Sequence, residues 1–250
     1  DAKRLWQTEL TRLTQLESPE AKALNQTRVL MELNELLRED NIVAASGSLP
    51  SDLERVWTAR RPGAYHLEYG FSCMGYEVSG ALGVKLADPE REVYTFVGDG
   101  GFLMGHSDLL TSIQEGHKIN VLLFNNSGHQ CIHNLERSQG MGTFGTEFRF
   151  REQSTGGLTG GYVPVNYSAL ASAYGAKTWR VTTLAELHAA VEASKQADVS
   201  TLIEIMVLPG TMTEGYENFW RVGTAAVSEK ESVRKAYKRL NDVVKNLRKY

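Results

Sequence analysis

The chain has 250 residues, 42% apolar and 23% charged, an ordinary globular composition that provides for one good core or two small ones and excludes a disordered chain. A net charge of −3 offers no basic footprint for nucleic acid or an anionic membrane, and no apolar run approaches the roughly 18 residues of a membrane span. Its two cysteines, Cys73 and Cys131, form no Cys-x-x-Cys pair, so neither a disulfide framework nor a zinc or iron–sulfur site is indicated.

Residues 1–24 read as a charged amphipathic lead-in, with Leu5, Leu10, Leu13 and Leu16 as candidate buried positions. They lack the apolar centre of a signal peptide, so a cytoplasmic protein is expected. A chain that begins this way, without an initiator Met, reads as cut from something longer. Gln26 to Arg38 predicts a helix with Val29, Leu30, Leu33, Leu36 and Leu37 on one face. Asn41 to Ser46 reads as a short buried strand ending in Ser46-Gly47-Ser48, residues 50–61 as a helix, and Tyr65 to Glu68 as another strand. From Gly75 to Leu86 the spacing predicts a helix whose small residues pack closely on the sheet, stopped by Asp88-Pro89.

The segment from Glu92 to Gly128 organises the rest. Val93 to Val97 is an apolar run that reads as a buried parallel strand, and it stops on Gly98-Asp99-Gly100-Gly101. Leu103, Leu109, Leu110 and Ile113 follow at helical spacing, then a second buried run, Ile119 to Phe124, ends on Asn125-Asn126-Ser127-Gly128. In such a βαβ unit both strands point the same way. Asp99 and Asn126 therefore emerge together at the carboxyl edge, where open α/β sheets bind ligands. A carboxylate, an amide carbonyl and a backbone carbonyl, most simply that of Gly128, suit Mg²⁺, which takes about six oxygens and commonly shares them with phosphate and water. Gly100 and Gly101 lack Cβ atoms, so phosphate oxygens can approach their N–H groups at the start of the following helix.

Farther on, residues 139–164 hold seven glycines and little periodicity. So long a loop in a compact domain reads as an active-site cover that orders on binding. Tyr167 to Tyr174 predicts a helix capped by Gly175, Lys177 to Val181 a strand, Leu184 to Lys195 a helix, and Thr201 to Val207 a last buried strand. A polar tail follows Pro209, then a charged helix from about Ala225 to Leu247. The expected fold is a three-layer αβα domain with a mainly parallel sheet of about six strands. It spans residues 25–210, with 1–24 as a linker from a preceding part and 211–250 as a tail and helix.

GDG and NN, separated by residues 101–124 and each directly after an apolar strand, resemble the cofactor fingerprint of thiamine diphosphate enzymes. The resemblance implies Mg²⁺ ligation by Asp99, Asn126 and the Gly128 carbonyl, with Gly98, Gly100 and Gly101 around the diphosphate. Met74, 25 residues before Asp99, matches the large aliphatic residue that bends the cofactor in acetolactate synthase-like members. The same resemblance puts the Ser72 carbonyl and Met74 N–H on the aminopyrimidine ring, and Gly47, Ser48 and Leu49 on the diphosphate.

Ala45 to Leu53, His66 to Gly75, Ala87 to Glu92 and Gln130 to Gly140 resemble the branch of that group that hydrolyses trihydroxycyclohexane-1,2-dione to 5-deoxyglucuronate in inositol catabolism. His129, Gln130, His133 and Arg137 are then candidates to hydrogen-bond a polyhydroxylated cyclic diketone; surface polarity on a short helix explains them equally well. The glutamate that activates the cofactor in this group lies on a pyrimidine-binding domain that nothing in these residues matches. That implies a missing domain of the same or a neighbouring chain, a homo-oligomer (dimer or tetramer), and a catalytic residue outside this chain. An acetolactate synthase-like carboligase or decarboxylase, or a non-catalytic cofactor-binding module, is the alternative.

Overall fold

The computed structural model describes residues 2–15, 22–211 and 223–245. Six strands form one sheet, β1 (Asn41–Ala44), β2 (Tyr65–Leu67), β3 (Val93–Gly98), β4 (Asn120–Asn125), β5 (Lys177–Val181) and β6 (Thr201–Met206). Their order is β2-β1-β3-β4-β6-β5, and every pairing is parallel. β3 and β4 lie in the middle, which is why both are continuous apolar runs: each face of a central parallel strand is covered by helices.

Strand side chains alternate between two cores. Ile42, Tyr94, Phe96, Leu122, Phe124, Ile203 and Ile205 pack with α2 (Gln26–Leu36), α3 (Leu49–Val56) and α9 (Leu184–Lys195). Val43, Val97, Val121, Leu123 and Leu202 pack on the other face with α4 (Tyr76–Ala87), α5 (Asp99–Gly105), α6 (Asp108–Gln114) and α8 (Tyr167–Ala173). This is the three-layer arrangement expected. Local signals set the helix starts: the Asn25 side chain accepts from Arg28 N at 3.0 Å to cap α2, and Thr183 with Glu186 forms a capping box on α9.

Four details differ from the sequence reading. The helix expected over 50–61 ends at Val56, because Trp57 turns extended to set its ring edge-on against Phe96 and the Thr58 amide is taken by Asn34 Oδ1 at 3.1 Å. The helix expected after the Gly-Asp-Gly turn begins at Asp99 itself and is two short helices, α5 and α6. The break falls at Gly105, whose backbone abuts that of Gly75; a Cβ there would lie 2.7 Å from Gly75 Cα. In α1 (Ala2–Thr14), Leu10 is buried and Leu5 is 66% exposed, while the side chain of Leu13, and Leu16 altogether, lie outside the described residues. The C-terminal helix, α10, begins at Glu231 rather than Ala225 and is described as far as Lys245, its approach held by Arg234 donating to the Ser228 and Glu229 carbonyls; residues 212–222 and 246–250 of the expected tail and helix lie outside the described residues. No helix among the described residues is long and apolar enough to cross a membrane.

β1 connects outward to β2, after which the chain crosses back to β3 on the other side of β1. The strand order therefore reverses between β1 and β3, and the crevice at their carboxyl ends is where this class of sheet takes a ligand.

Candidate cofactor site

Three loops meet at that crevice: Ser46-Gly47-Ser48 after β1, Gly98-Asp99 after β3, and Asn126-Ser127-Gly128 after β4. With α7 (Gln130–Ser138) and the loop after β2 they enclose a cleft of about 270 Å³. Gly47, Ser48, Leu49, Ser72, Met74, Gly98, Gly100, Gly101, Asn126 and Gly128, all singled out from sequence, line it.

Asp99 lies beneath them, fully buried. Its Oδ1 accepts from Gly100 N at 2.9 Å and its Oδ2 from Gly128 N at 3.0 Å. Burial nevertheless pushes its carboxyl up to about 7, the backbone donors only partly offsetting the lost hydration. One terminal atom of the Asn126 amide lies 2.8 Å from the Gly128 carbonyl oxygen and 3.3 Å from Asp99 Oδ1. With nitrogen there, the amide donates to both; with oxygen there, three acceptors converge and only a cation reconciles them. Mg²⁺–oxygen bonds of 2.0–2.1 Å put neighbouring octahedral ligands about 2.9 Å apart. The donor set and its spacing thus fit Mg²⁺.

Gly128 supplies a carbonyl that few residues could place. Its φ is +152°, and a Cβ would run into the Thr146 carbonyl oxygen and sit 2.7 Å from Glu147 Cα. The crowding comes from the Gly-rich segment 139–164, which runs antiparallel to the site loop: His129 N donates to Thr146 O at 2.7 Å and Phe148 N to Ser127 O at 2.9 Å. Within it Glu147 accepts from Arg149 Nε at 2.8 Å and from the Tyr162 hydroxyl at 2.7 Å.

Met74 also lines the cleft, 37% exposed. Glu68, not singled out from sequence, shapes its loop by accepting from Cys73 N at 2.8 Å and Phe71 N at 3.1 Å, which leaves Ser72 between them at φ +53°. The same bonds, that from Cys73 foremost, hold the Glu68 carboxyl below its usual range. Glu77, also missed, is buried and accepts from Ser46 N, Ser46 Oγ and Gly75 N, joining the β1 loop to the Met74 loop. A Glu two residues beyond a Met-Gly at a helix start was the available signal.

His129 and Gln130 line the cleft, but His133 and Arg137 do not. On α7 the cleft face is that of Cys131 and Leu135, four residues apart; positions two residues away point to the opposite side. His133 is buried there with Nδ1 3.2 Å from Thr146 Oγ1, and Arg137 is exposed. Burial, assisted by Asp52, pushes the Cys131 thiol up to about 11. Iodoacetamide at pH about 8 is therefore expected to modify exposed Cys73 well before Cys131, since the thiolate is the nucleophile. Peptide mass spectrometry reads the order, and equal rates at the two sites would contradict this picture. No group of three or more His, Cys, Asp or Glu among the described residues could hold a metal, so the oxygens at Asp99 remain the cation site to consider.

An all-parallel sheet with a buried carboxylate and an amide on the adjacent ends of β3 and β4, beside the switch point, defines an α/β domain that takes a ligand at its carboxyl edge. Residues 45–205 match the family "Thiamine pyrophosphate enzyme, C-terminal TPP binding domain", and the chain belongs to that family. It is 51% identical, over 99% of its length, to 3D-(3,5/4)-trihydroxycyclohexane-1,2-dione hydrolase 2 of Bacillus cereus (strain ZK / E33L), covering 42% of that protein. It is also 51% identical, over 95% of its length, to 3D-(3,5/4)-trihydroxycyclohexane-1,2-dione hydrolase of Bacillus anthracis (strain CDC 684 / NRRL 3495), covering 40%. The chain thus spans about two fifths of the curated relatives it matches. Among solved structures, the Rhodococcus jostii RHA1 thiamine diphosphate-dependent 4-hydroxybenzoylformate decarboxylase aligns with a TM-score of 0.65 at 21% identity, over 78% of this chain and 34% of that one. Benzoylformate decarboxylase from Polynucleobacter necessarius gives 0.65 at 20%, over 80% and 36%. These two share the fold.

Proposed function

We propose that this chain is the cofactor-binding portion of a thiamine diphosphate-dependent hydrolase that opens the ring of trihydroxycyclohexane-1,2-dione to 5-deoxyglucuronate in inositol catabolism. The observation that carries the site assignment is the convergence of Asp99 Oδ1, the Asn126 amide and the Gly128 carbonyl within 2.8–3.3 Å at the crevice. The substrate follows from the 51% identity to proteins named for that dione.

Asp99, Asn126 and Gly128 would hold Mg²⁺, and Gly47, Ser48, Leu49, Gly98, Gly100 and Gly101 the diphosphate. Met74, which lines the same cleft, would set the bend of the cofactor, with Ser72 and the Met74 amide against its pyrimidine ring. When bound, thiamine diphosphate supplies a nucleophilic carbon and an electron sink for cleaving the bond between the two ketone carbons. This chain's own part is to fix the diphosphate end, to line the cleft with the apolar Leu49, Ile132 and Leu135, and to offer His129 and Gln130 to substrate hydroxyls. A preceding pyrimidine-binding domain, from the same or a neighbouring chain of a cytoplasmic oligomer, would supply the activating glutamate, with residues 1–24 leading from it and 211–250 appended after the domain.

Calorimetry of thiamine diphosphate with Mg²⁺ tests the assignment, native chain beside Asp99→Ala. Saturable heat from the native chain and none from the variant is expected; equal heats would overturn it.

A further inference from the structure

On the far side of the sheet's central pair from β3, β6 carries an acid in its middle. Glu204 is fully buried among Leu202, Ile203 and Ile205. An ionised carboxylate in a strand interior is costly unless its oxygens are satisfied. Here they are shared between two directions. Oε2 accepts from Ser168 N at 3.2 Å and Ser168 Oγ at 2.9 Å on α8; Oε1 accepts from Asn125 Nδ2 at 2.8 Å and has the half-exposed Arg180 Nε 3.7 Å away.

The bonds to Ser168 tie a helix to the sheet. The bond to Asn125 goes elsewhere. With its amide nitrogen held by Glu204, Asn125 presents its Oδ1 to Ser127 N at 3.2 Å. Ser127 has φ +61°, a left-handed conformation that costs a non-glycine residue about 1–2 kcal/mol. It stands between Asn126, which offers a side chain to the cation site, and Gly128, which offers a carbonyl. The Asn125 contact thus holds in place a turn that the backbone alone disfavours, and two of the three converging oxygens depend on that turn.

The geometry points to Glu204 as a positioning residue for the divalent cation, acting through Asn125 on the Asn126-Ser127-Gly128 turn, 79 residues away in sequence from the amide it orients. The inference rests on the Mg²⁺ reading of Asp99, Asn126 and Gly128. Groups that orient metal ligands without touching the ion typically change affinity 10–100-fold when removed. Glu204→Ala removes both acceptor oxygens, so the Asn125 amide and Ser168 each lose their partner.

The test uses the full 250-residue chain with Mn²⁺ and thiamine diphosphate, bound ion counted by electron paramagnetic resonance, and urea unfolding without metal to report folding separately. Glu204→Ala and Asn125→Ala are each expected to weaken Mn²⁺ binding about tenfold or more. The double variant is expected to bind no more weakly than Asn125→Ala alone, since both act through one contact. Ser168→Ala, which removes a different bond to the same carboxylate, is expected to keep native affinity. If Glu204→Ala does not fold, Asn125→Ala beside Ser168→Ala decides. Native affinity in Asn125→Ala or in folded Glu204→Ala, multiplicative losses in the double variant, or an equal loss in Ser168→Ala would each overturn the inference while leaving the cation site standing. Absence of bound Mn²⁺ in the native chain would instead overturn the site reading, and this inference with it.

Discussion

Replacing Asp99 by Asn is expected to abolish cation-dependent stabilisation and, in the metal-free chain, to give a relative stability that improves steadily with pH. The carboxyl is raised in the folded chain from its ordinary 3.8 to about 7 by burial. Below the unfolded value it is protonated in both states and costs nothing. Between the two values the folded state must hold a proton or bury a charge, and above about 7 the full penalty applies. A shift of this size corresponds to roughly 4 kcal/mol. Measured in chelator by urea unfolding, the difference between Asp99→Asn and the native chain should therefore swing in the variant's favour by about that amount from pH about 4 to 8. Adding Mg²⁺ and thiamine diphosphate should reverse the ranking, because a ligand that binds only the folded native chain stabilises it in proportion to the logarithm of its concentration over Kd. A pH-independent difference, or equal stabilisation of both proteins by the cofactor, would contradict a buried acid awaiting a cation.

Gly128→Ala is expected to damage fold and site together. At φ +152° an added methyl group meets the Thr146 carbonyl and Glu147 Cα, both backbone, so relief requires the whole 139–164 segment to move. Overpacking against backbone at a strained φ costs about 3 kcal/mol. The displaced segment would take with it the bonds from His129 N to Thr146 O and from Phe148 N to Ser127 O. Cofactor binding should fall at least tenfold even at temperatures where the variant is folded, since the carbonyl beside Asn126 would no longer face Asp99. The melting temperature by circular dichroism and the calorimetric affinity check the two halves, and a variant matching the native chain in both would show that the close approach is not needed. Glycine here is a statement about a neighbour 18 residues on, which only the packed structure identifies.

The strand runs were legible because a parallel strand covered on both faces must be apolar throughout, and Val93 to Val97 and Ile119 to Phe124 are such runs in the middle of the sheet. Adjacent strands of a βαβ unit end at the same edge, so the neighbourhood of Asp99 and Asn126 followed from spacing alone. Periodicity misled where a local pattern met a distant contact: Leu103 and Leu110 repeat helically yet are 40% and 46% exposed, because the helix breaks where Gly105 meets the backbone of Gly75. His133 and Arg137 were grouped with His129 and Gln130 by proximity in sequence, and the 3.6-residue period of α7 then separated them.

The amino-acid sequence by itself thus determined the layered parallel fold, the family and the residue types at the crevice, since these depend on interactions within a strand, a turn or one βαβ unit. Only the tertiary structure decided which oxygens face one another, that the Gly-rich segment pins Gly128, that Glu77 joins two cleft loops, and that Glu204 reaches the site through Asn125. Apart from the local approaches of Asn126 to Gly128 and of Gly75 to Glu77, those contacts join residues 18 to 79 positions apart, and chain spacing carries no record of a distance of 3 Å between groups that meet only when the sheet has closed.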